Sequence, residues 1–399
     1  MNTRGWGATA IAVTALALVA GCGGGSSDSS SGSNGIQVPK GPKMATSVGQ
    51  GEGKLNLIAW AGYAEDGSTD PKVDWVTAFE KQTGCQVNVK IGNTSDEMVT
   101  LMRTGKYDTV SASGDATLRL IAGGDVAPVN TKLVPNYTDV YAGLKDKPWN
   151  SVNGQMYGIP HGYGANLLMW RNDKVKGPLD SWRSVFDDAS ANQGRVTAYD
   201  SPIYIADAAV YLKSTRPDLK ITNPYELDDK QFQAAVDLLK QQRQSIGQYW
   251  SDYTKEQAAF ASGDSTVGTT WQVIANLLEG DKIPVKTVLP KEGSTGWSDT
   301  WMLSSKAQHP NCAYKWMNYI ISPKVNAEVA EWFGEAPANQ KACAMTADKN
   351  HCKIFHAGDD AYFKRVSFWT TPRASCGDSR GSVCADYSKW VQAWTEIKG

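Results

Sequence analysis

The sequence predicts an α/β protein in two lobes, each a mainly parallel sheet flanked by helices. Strands and helices alternate as βαβαβ from residue 54, and a second α/β stretch begins after Ile159-Pro160. Roughly 345 residues follow Gly53, a length that usually divides between two cores.

The first residues belong to targeting rather than to the fold. Arg4 gives a positive start, Ala8 to Ala20 is an uncharged run too short to span a bilayer, and Leu18-Val19-Ala20-Gly21-Cys22 sets small residues before a cysteine. That spacing resembles a bacterial lipobox, so 1–22 is expected to be a lipoprotein signal peptide with Cys22 as the lipidated residue. An ordinary secretory signal is the alternative. Residues 23–53, rich in Gly and Ser, are expected to form a tether.

Leu55 to Trp60 then reads as a strand, and Asp70-Pro71 supplies an N-cap and first-turn proline for a helix carrying Val73, Val76 and Phe79. Gly84 stops it. Gln86 to Ile91 alternates as a second strand, Ser95-Asp96-Glu97 opens a second helix, and Tyr107 to Ser111 is a third strand. In the second stretch, strands are expected at Asn166 to Arg171, Arg195 to Tyr199, Ser265 to Trp271, Val285 to Leu289 and Thr300 to Ser304. Helices are expected at Ile203 to Leu212, Asp228 to Arg243, Thr254 to Ala261, Cys312 to Ile321 and Pro323 to Phe333. Ligands of such sheets sit at the carboxyl ends of the strands.

A formal net charge of -1 and the absence of a basic cluster argue against nucleic-acid binding. With Cys22 set aside for lipid, six of seven cysteines remain for an oxidising compartment. Proximity makes Cys343–Cys352 and Cys376–Cys384 the easiest loops to close, leaving Cys85–Cys312. A metal site on Cys343, His351, Cys352 and His356 lacks tetrahedral-site spacing, so no metal or other cofactor is expected. Fifteen tryptophans and sixteen tyrosines against eight phenylalanines are a stock of amphipathic rings suited to a wet cleft.

Several segments together carry a family likeness. Leu55 to Tyr63, Phe79-Glu80-Lys81-Gln82-Thr83-Gly84, Tyr107-Asp108, Tyr157-Gly158-Ile159-Pro160, and Leu289-Pro290-Lys291-Glu292-Gly293 with Trp297 and Asp299 resemble the spermidine/putrescine-binding lipoproteins of bacterial ABC importers. The resemblance implies a periplasmic-binding-protein-like fold whose lobes are discontinuous in sequence, 54–164 plus 297–345 and 165–295 plus 346–399. It implies a monomeric, non-enzymatic receptor anchored at the outer face of the cell membrane through Cys22, handing a small cationic ligand to permease subunits.

The same likeness nominates ligand-binding residues. A polyamine needs carboxylates for its ammonium groups and flat rings for its methylenes. Trp60 and Tyr63 follow the first strand, Asp200 and Trp271 each end a strand of the second lobe, and Trp297 with Asp299 lies beside a crossing between lobes. Asp115, on the loop after the third strand, is the least anchored of the set, because capping the helix at Ala116 is an equal alternative. Three residues beyond Asp200, where spermidine-binding members carry a second acid, this chain has Ile203, which opens the ligand class to putrescine, agmatine or a quaternary amine. A sugar receptor and a carboxylate-dependent hydrolase are the rivals. No G-x-S-x-G, H-E-x-x-H or phosphate-binding glycine loop is present to favour the latter.

Overall fold

The computed structural model describes residues 36–399; the expected signal peptide, Cys22 and the beginning of the expected tether lie outside the described residues. The remainder of the expected tether, 36–53, has neither helix nor strand, yet it is not free. Ile36 enters the core of the first lobe, the Ala45 carbonyl accepts from Asn130 Nδ2 at 3.0 Å, and the Glu52 carboxylate accepts from the backbone N–H groups of Asn311 and Cys312.

The first lobe opens as the βαβαβ pattern requires. β1 (Lys54–Ala59), β2 (Gln86–Ile91) and β3 (Thr109–Ala112) pair in parallel with β1 central, joined by α1 (Val76–Thr83) and α2 (Ser95–Arg103). β1 is covered on both sides. Leu55, Leu57 and Ala59 pack with Phe79, Trp301 and Trp316, while Ile58 packs with Met98, Val110 and Met302 on the opposite face. Each leucine, isoleucine or phenylalanine among them contributes about 1.5–3 kcal/mol by leaving water.

Helix α1 starts later than Asp70-Pro71 suggests. Asp74 Oδ1 accepts the Thr77 N–H at 2.8 Å, and a bridge between Asp66 and Asp74 folds the preceding residues into a loop, so the helix begins at Val76.

Further along come α3 (Gly114–Ala122), β4 (Val126–Ala127), the small hairpin of β5 (Ser151–Val152) and β6 (Gln155–Met156), and β7 (Gly158–Ala165). After β8 (Leu167–Arg171) the second lobe adds β9 (Val196–Tyr199), α4 (Ile205–Thr215), α5 (Asp229–Gln242) and β10 (Ile246–Trp250). It continues through α6 (Tyr253–Ser262), β11 (Val267–Thr270), α7 (Gln272–Gly280) and β12 (Val285–Val288). Its sheet runs β10-β9-β11-β8-β12, parallel from β10 to β11 and antiparallel from β11 to β12.

The chain returns through β13 (Ser294–Ser304), all of it buried, to α8 (Pro310–Ile320), α9 (Pro323–Phe333) and β14 (Ala336–Pro337). The first sheet is completed in the order β14-β7-β13-β3-β1-β2, with β7 and β13 antiparallel to each other and β13 antiparallel to β3. Parallel pairing in this sheet is thus confined to β2-β1-β3 and to a short strand, β15 (Val366–Phe368), beside β13.

Residues 346–399 were expected with the second lobe, but their first part packs on the first. α10 (His351–Ile354) leads to Phe355, which lies in the core beneath the first sheet. α11 (Asp360–Phe363) precedes β15 (Val366–Phe368), which pairs with β13. Closing the short Cys343–Cys352 loop turns the chain back toward that sheet. Only then does it pass to α12 (Tyr387–Lys398), whose Trp390 and Trp394 join the second core. Disulfides also join Cys85 to Cys312 and Cys376 to Cys384.

Candidate functional site

β7 carries the sequence Gly-Ile-Pro-His-Gly-Tyr-Gly-Ala, which lacks the usual strand alternation, yet it lies between β13 and β14 at the middle of the molecule. Its glycines are required by what lies on them. A Cβ at Gly162 would fall 1.9 Å from the carboxyl carbon of Glu335, and one at Gly164 would fall 2.8 Å from the Trp297 ring. Gly162 pairs with Asp299 on one side and Pro337 on the other, so the acids flanking it meet over a position without a side chain. One residue earlier His161 bulges from the ladder, and its carbonyl is taken by Ala338 N and Asn326 Nδ2.

The acids converge on one hydroxyl. Tyr63 Oη lies 2.8 Å from Asp299 Oδ2 and 2.8 Å from Glu335 Oε2, while Ser113 Oγ donates to Asp299 Oδ1 at 2.5 Å. All are buried. Burial, opposed by the hydrogen bonds from Ser113 and Tyr63, raises the Asp299 carboxyl to about 7. Burial and the neighbouring Asp299 hold Glu335 well above the carboxylate range, and Tyr63 is raised by burial and by both acids. His161 Nδ1 is 3.8 Å from Glu335 Oε1, but this is no ion pair, because burial lowers the imidazole to about 3. Neither Glu335 Oε1 nor His161 Nδ1 has a hydrogen-bond partner among the described residues.

An aromatic chain links this cluster to the second lobe. Tyr63 contacts Phe333 with ring centroids 4.1 Å apart, Phe333 meets Trp297 at 5.9 Å, and Trp297 meets Trp271 at 6.1 Å. Trp271 then packs on Trp250 and Tyr199, and Tyr199 stacks with Trp369 at 5.5 Å. A cavity beside Trp271 and Trp297 is also lined by His356, Tyr362 and Phe363, from the segment that follows the Cys343–Cys352 loop.

Where the chain passes between the sheets, the polar groups are satisfied in series. Asn166 accepts from Trp271 Nε1 at 2.9 Å and donates to Thr295 Oγ1 at 2.7 Å, and Thr295 donates to Asp207 at 2.9 Å.

Of the residues nominated from sequence, Tyr63, Asp299, Trp297 and Trp271 are therefore joined in one run of side-chain contacts. Trp60 is half-buried against both cores of the first lobe. Asp115 is buried within α3, receives Ser95 Oγ at 2.9 Å, and is pushed to about 6 by burial. Asp200 stands differently. Its Oδ1 already accepts from Lys398 Nζ at 2.7 Å and Trp394 Nε1 at 3.1 Å, so the C-terminal helix supplies the cation expected from a ligand.

Glu335 and Tyr199 were not singled out. A lone acid in Gly334-Glu335-Ala336 gives no periodic signal, and only the glycines of the neighbouring strand β7 hint that a bulky group must be accommodated.

Chemically, Asp299 and Glu335 form an acidic pair upon which no cation among the described residues acts, walled by rings. Such a surface suits an ammonium group with an apolar body.

A profile of the bacterial extracellular solute-binding proteins matches residues 74–352. A putrescine/agmatine-binding protein of Pseudomonas aeruginosa is 24% identical over 290 residues, 68% of this chain and 76% of that protein. Among solved structures, a spermidine/putrescine ABC transporter substrate-binding protein of Streptococcus pneumoniae superimposes with a TM-score of 0.66 at 17% identity, covering 88% of this chain and 97% of the other. A lipoprotein of Treponema pallidum does so at 0.69 with 18% identity, over 86% and 99%.

Proposed function

Because this chain belongs to the bacterial extracellular solute-binding protein family, we propose that it captures a polyamine-type cation in the cleft between its sheets and delivers it to an ABC importer. The observation that carries the reading is the buried Asp299–Tyr63–Glu335 cluster, joined by an unbroken run of rings to Trp271 and Trp297 and acted on by no cation among the described residues. The putrescine and agmatine relatives support the same ligand chemistry.

Tyr63, Asp299 and Trp297 hold one end of the ligand, and Trp271 contacts its methylenes. Cation–π contacts contribute about 0.5–2 kcal/mol and charge-assisted hydrogen bonds about 1.5–3, so three or four such groups reach micromolar affinity, about 8 kcal/mol, after association costs. Ligand touching both lobes shifts an open-to-closed equilibrium by its preference for the closed form. Lipid on Cys22 keeps the receptor at the outer face of the membrane, beside its permease.

Calorimetric titration of the purified protein with putrescine, spermidine, agmatine and maltose tests this reading. Saturable binding of an amine, lost in Asp299→Ala, is the expected result. Binding of maltose alone, or of none of the four, refutes it.

A further inference from the structure

We propose that Glu335 is a second ligand-binding carboxylate of this cleft and that, in the empty site, it holds a proton which an incoming ammonium group displaces. The inference rests on reading the cleft as an ammonium site. Its geometric basis is the shared hydroxyl. Tyr63 Oη lies 2.8 Å from an oxygen of each acid, yet a phenol carries one hydrogen. Two ionised carboxylates would leave one of those contacts as lone pair against lone pair. One acid must therefore supply the missing hydrogen.

Glu335 is the better holder. Both oxygens of Asp299 are covered, Oδ1 by Ser113 and Oδ2 by Tyr63, whereas Glu335 Oε1 has no partner among the described residues. The bare Cα of Gly162 makes room for this side chain, as a Cβ there would overlap it.

The groups that face the pair come from every element around it. They are Tyr63 after β1, Ser113 and Asp115 at the start of α3, His161 on β7, Tyr199 on β9, and His351 on α10, whose Nε2 lies 2.8 Å from the Glu335 backbone carbonyl. None is a lysine or an arginine. Burial disfavours the charged form of both histidines, which agrees with an uncompensated acidic pair. The positive charge that lets both acids ionise must arrive with the ligand.

The exchange balances simply. An R–NH3+ group brings three N–H donors, enough for Asp299, Glu335 and the Tyr63 oxygen. The bond broken is the carboxyl O–H of Glu335, and its proton leaves to bulk water. No electrons move.

The test is calorimetric titration of the purified protein with putrescine at one pH in two buffers of different ionisation enthalpy, repeated across pH. Release of about one proton per ligand is expected, with apparent affinity rising about tenfold per pH unit while the pair remains protonated. Glu335→Gln should bind more weakly, release about one proton fewer and lose that slope. Amine binding with no buffer dependence and a flat pH profile overturns this proposal and leaves the ammonium cleft standing, as does a Glu335→Gln protein that releases as many protons as the parent. Absence of binding by any amine overturns the functional reading as well. Should Glu335→Gln fail to fold, the two-buffer comparison on the parent protein decides alone.

Discussion

Replacing Gly162 with alanine adds one methyl group at a point where two opposing effects can be separated. The backbone there is not in the left-handed region, so alanine is conformationally acceptable and would by itself stabilise the chain by about 0.4–1 kcal/mol through the unfolded state. The methyl carbon, however, would stand 1.9–2.0 Å from the three carboxyl atoms of Glu335, well inside any permitted contact. The strand cannot yield, because Gly162 is held between Asp299 and Pro337 by ladders on both sides. Glu335 must therefore swing away, breaking its 2.8 Å contact with Tyr63. It then no longer reaches the ammonium group, and a charge-assisted hydrogen bond to the ligand contributes about 1.5–3 kcal/mol, so amine affinity should fall about 10- to 150-fold. Overpacking should also lower stability by about 1–3 kcal/mol, outweighing the entropic gain. Tryptophan fluorescence titration and thermal melts measure the two effects. Gly280→Ala, which meets nothing within 4 Å, is the matched control. A Gly162→Ala protein with parental affinity and raised Tm would refute the reasoning.

The other expectations are independent of it. Cys85 and Cys312 close a loop with a sequence separation of 227, so replacing both with serine should cost about 5 kcal/mol of stability by chain entropy, read from denaturant unfolding. Asp200→Asn should change amine affinity less than threefold, because Lys398 already occupies that carboxylate. Lys398→Met should cost under about 1 kcal/mol in a thermal melt, as the pair is partly exposed. Asp207 is raised by burial from 3.8 to about 7, so the folded chain retains a proton that the unfolded chain releases. The stability this confers is complete below pH 3.8 and is lost as pH rises through about 7. The ligand-free Tm should accordingly fall between about pH 4 and 7, with a shallower fall in Asp207→Asn.

How much of this could be read from sequence depended on whether the signal was local. β1, β2 and the helices over 310–333 follow from apolar spacing and proline placement, which act within a few residues. β7 did not, because glycine and proline in Gly158–Ala165 argue against a strand, and the order there comes from β13 and β14, far away in sequence. The same distinction divides the site. Trp297 and Asp299 stand in a segment whose family likeness is visible, whereas Glu335 gains its surroundings from Tyr63 and His161, more than 170 residues distant. Asp200 shows the reverse case: its position at a strand end was legible, but its partner Lys398 arrives from the C-terminal helix, 198 residues away.

The three passages between the sheets, at Ala165–Leu167, at Val288–Ser294 and after Phe368, have a mechanical meaning. One flexible connection would let the halves tumble through a cone of orientations, but three strands anchored at separate points define an axle. Rotation about that line is the only large motion that stretches none of them. Fluorophores placed on α2 and α5 should then report two narrow distances, with and without ligand, rather than a broad spread. A single broad distribution, unchanged by ligand, would refute the axle.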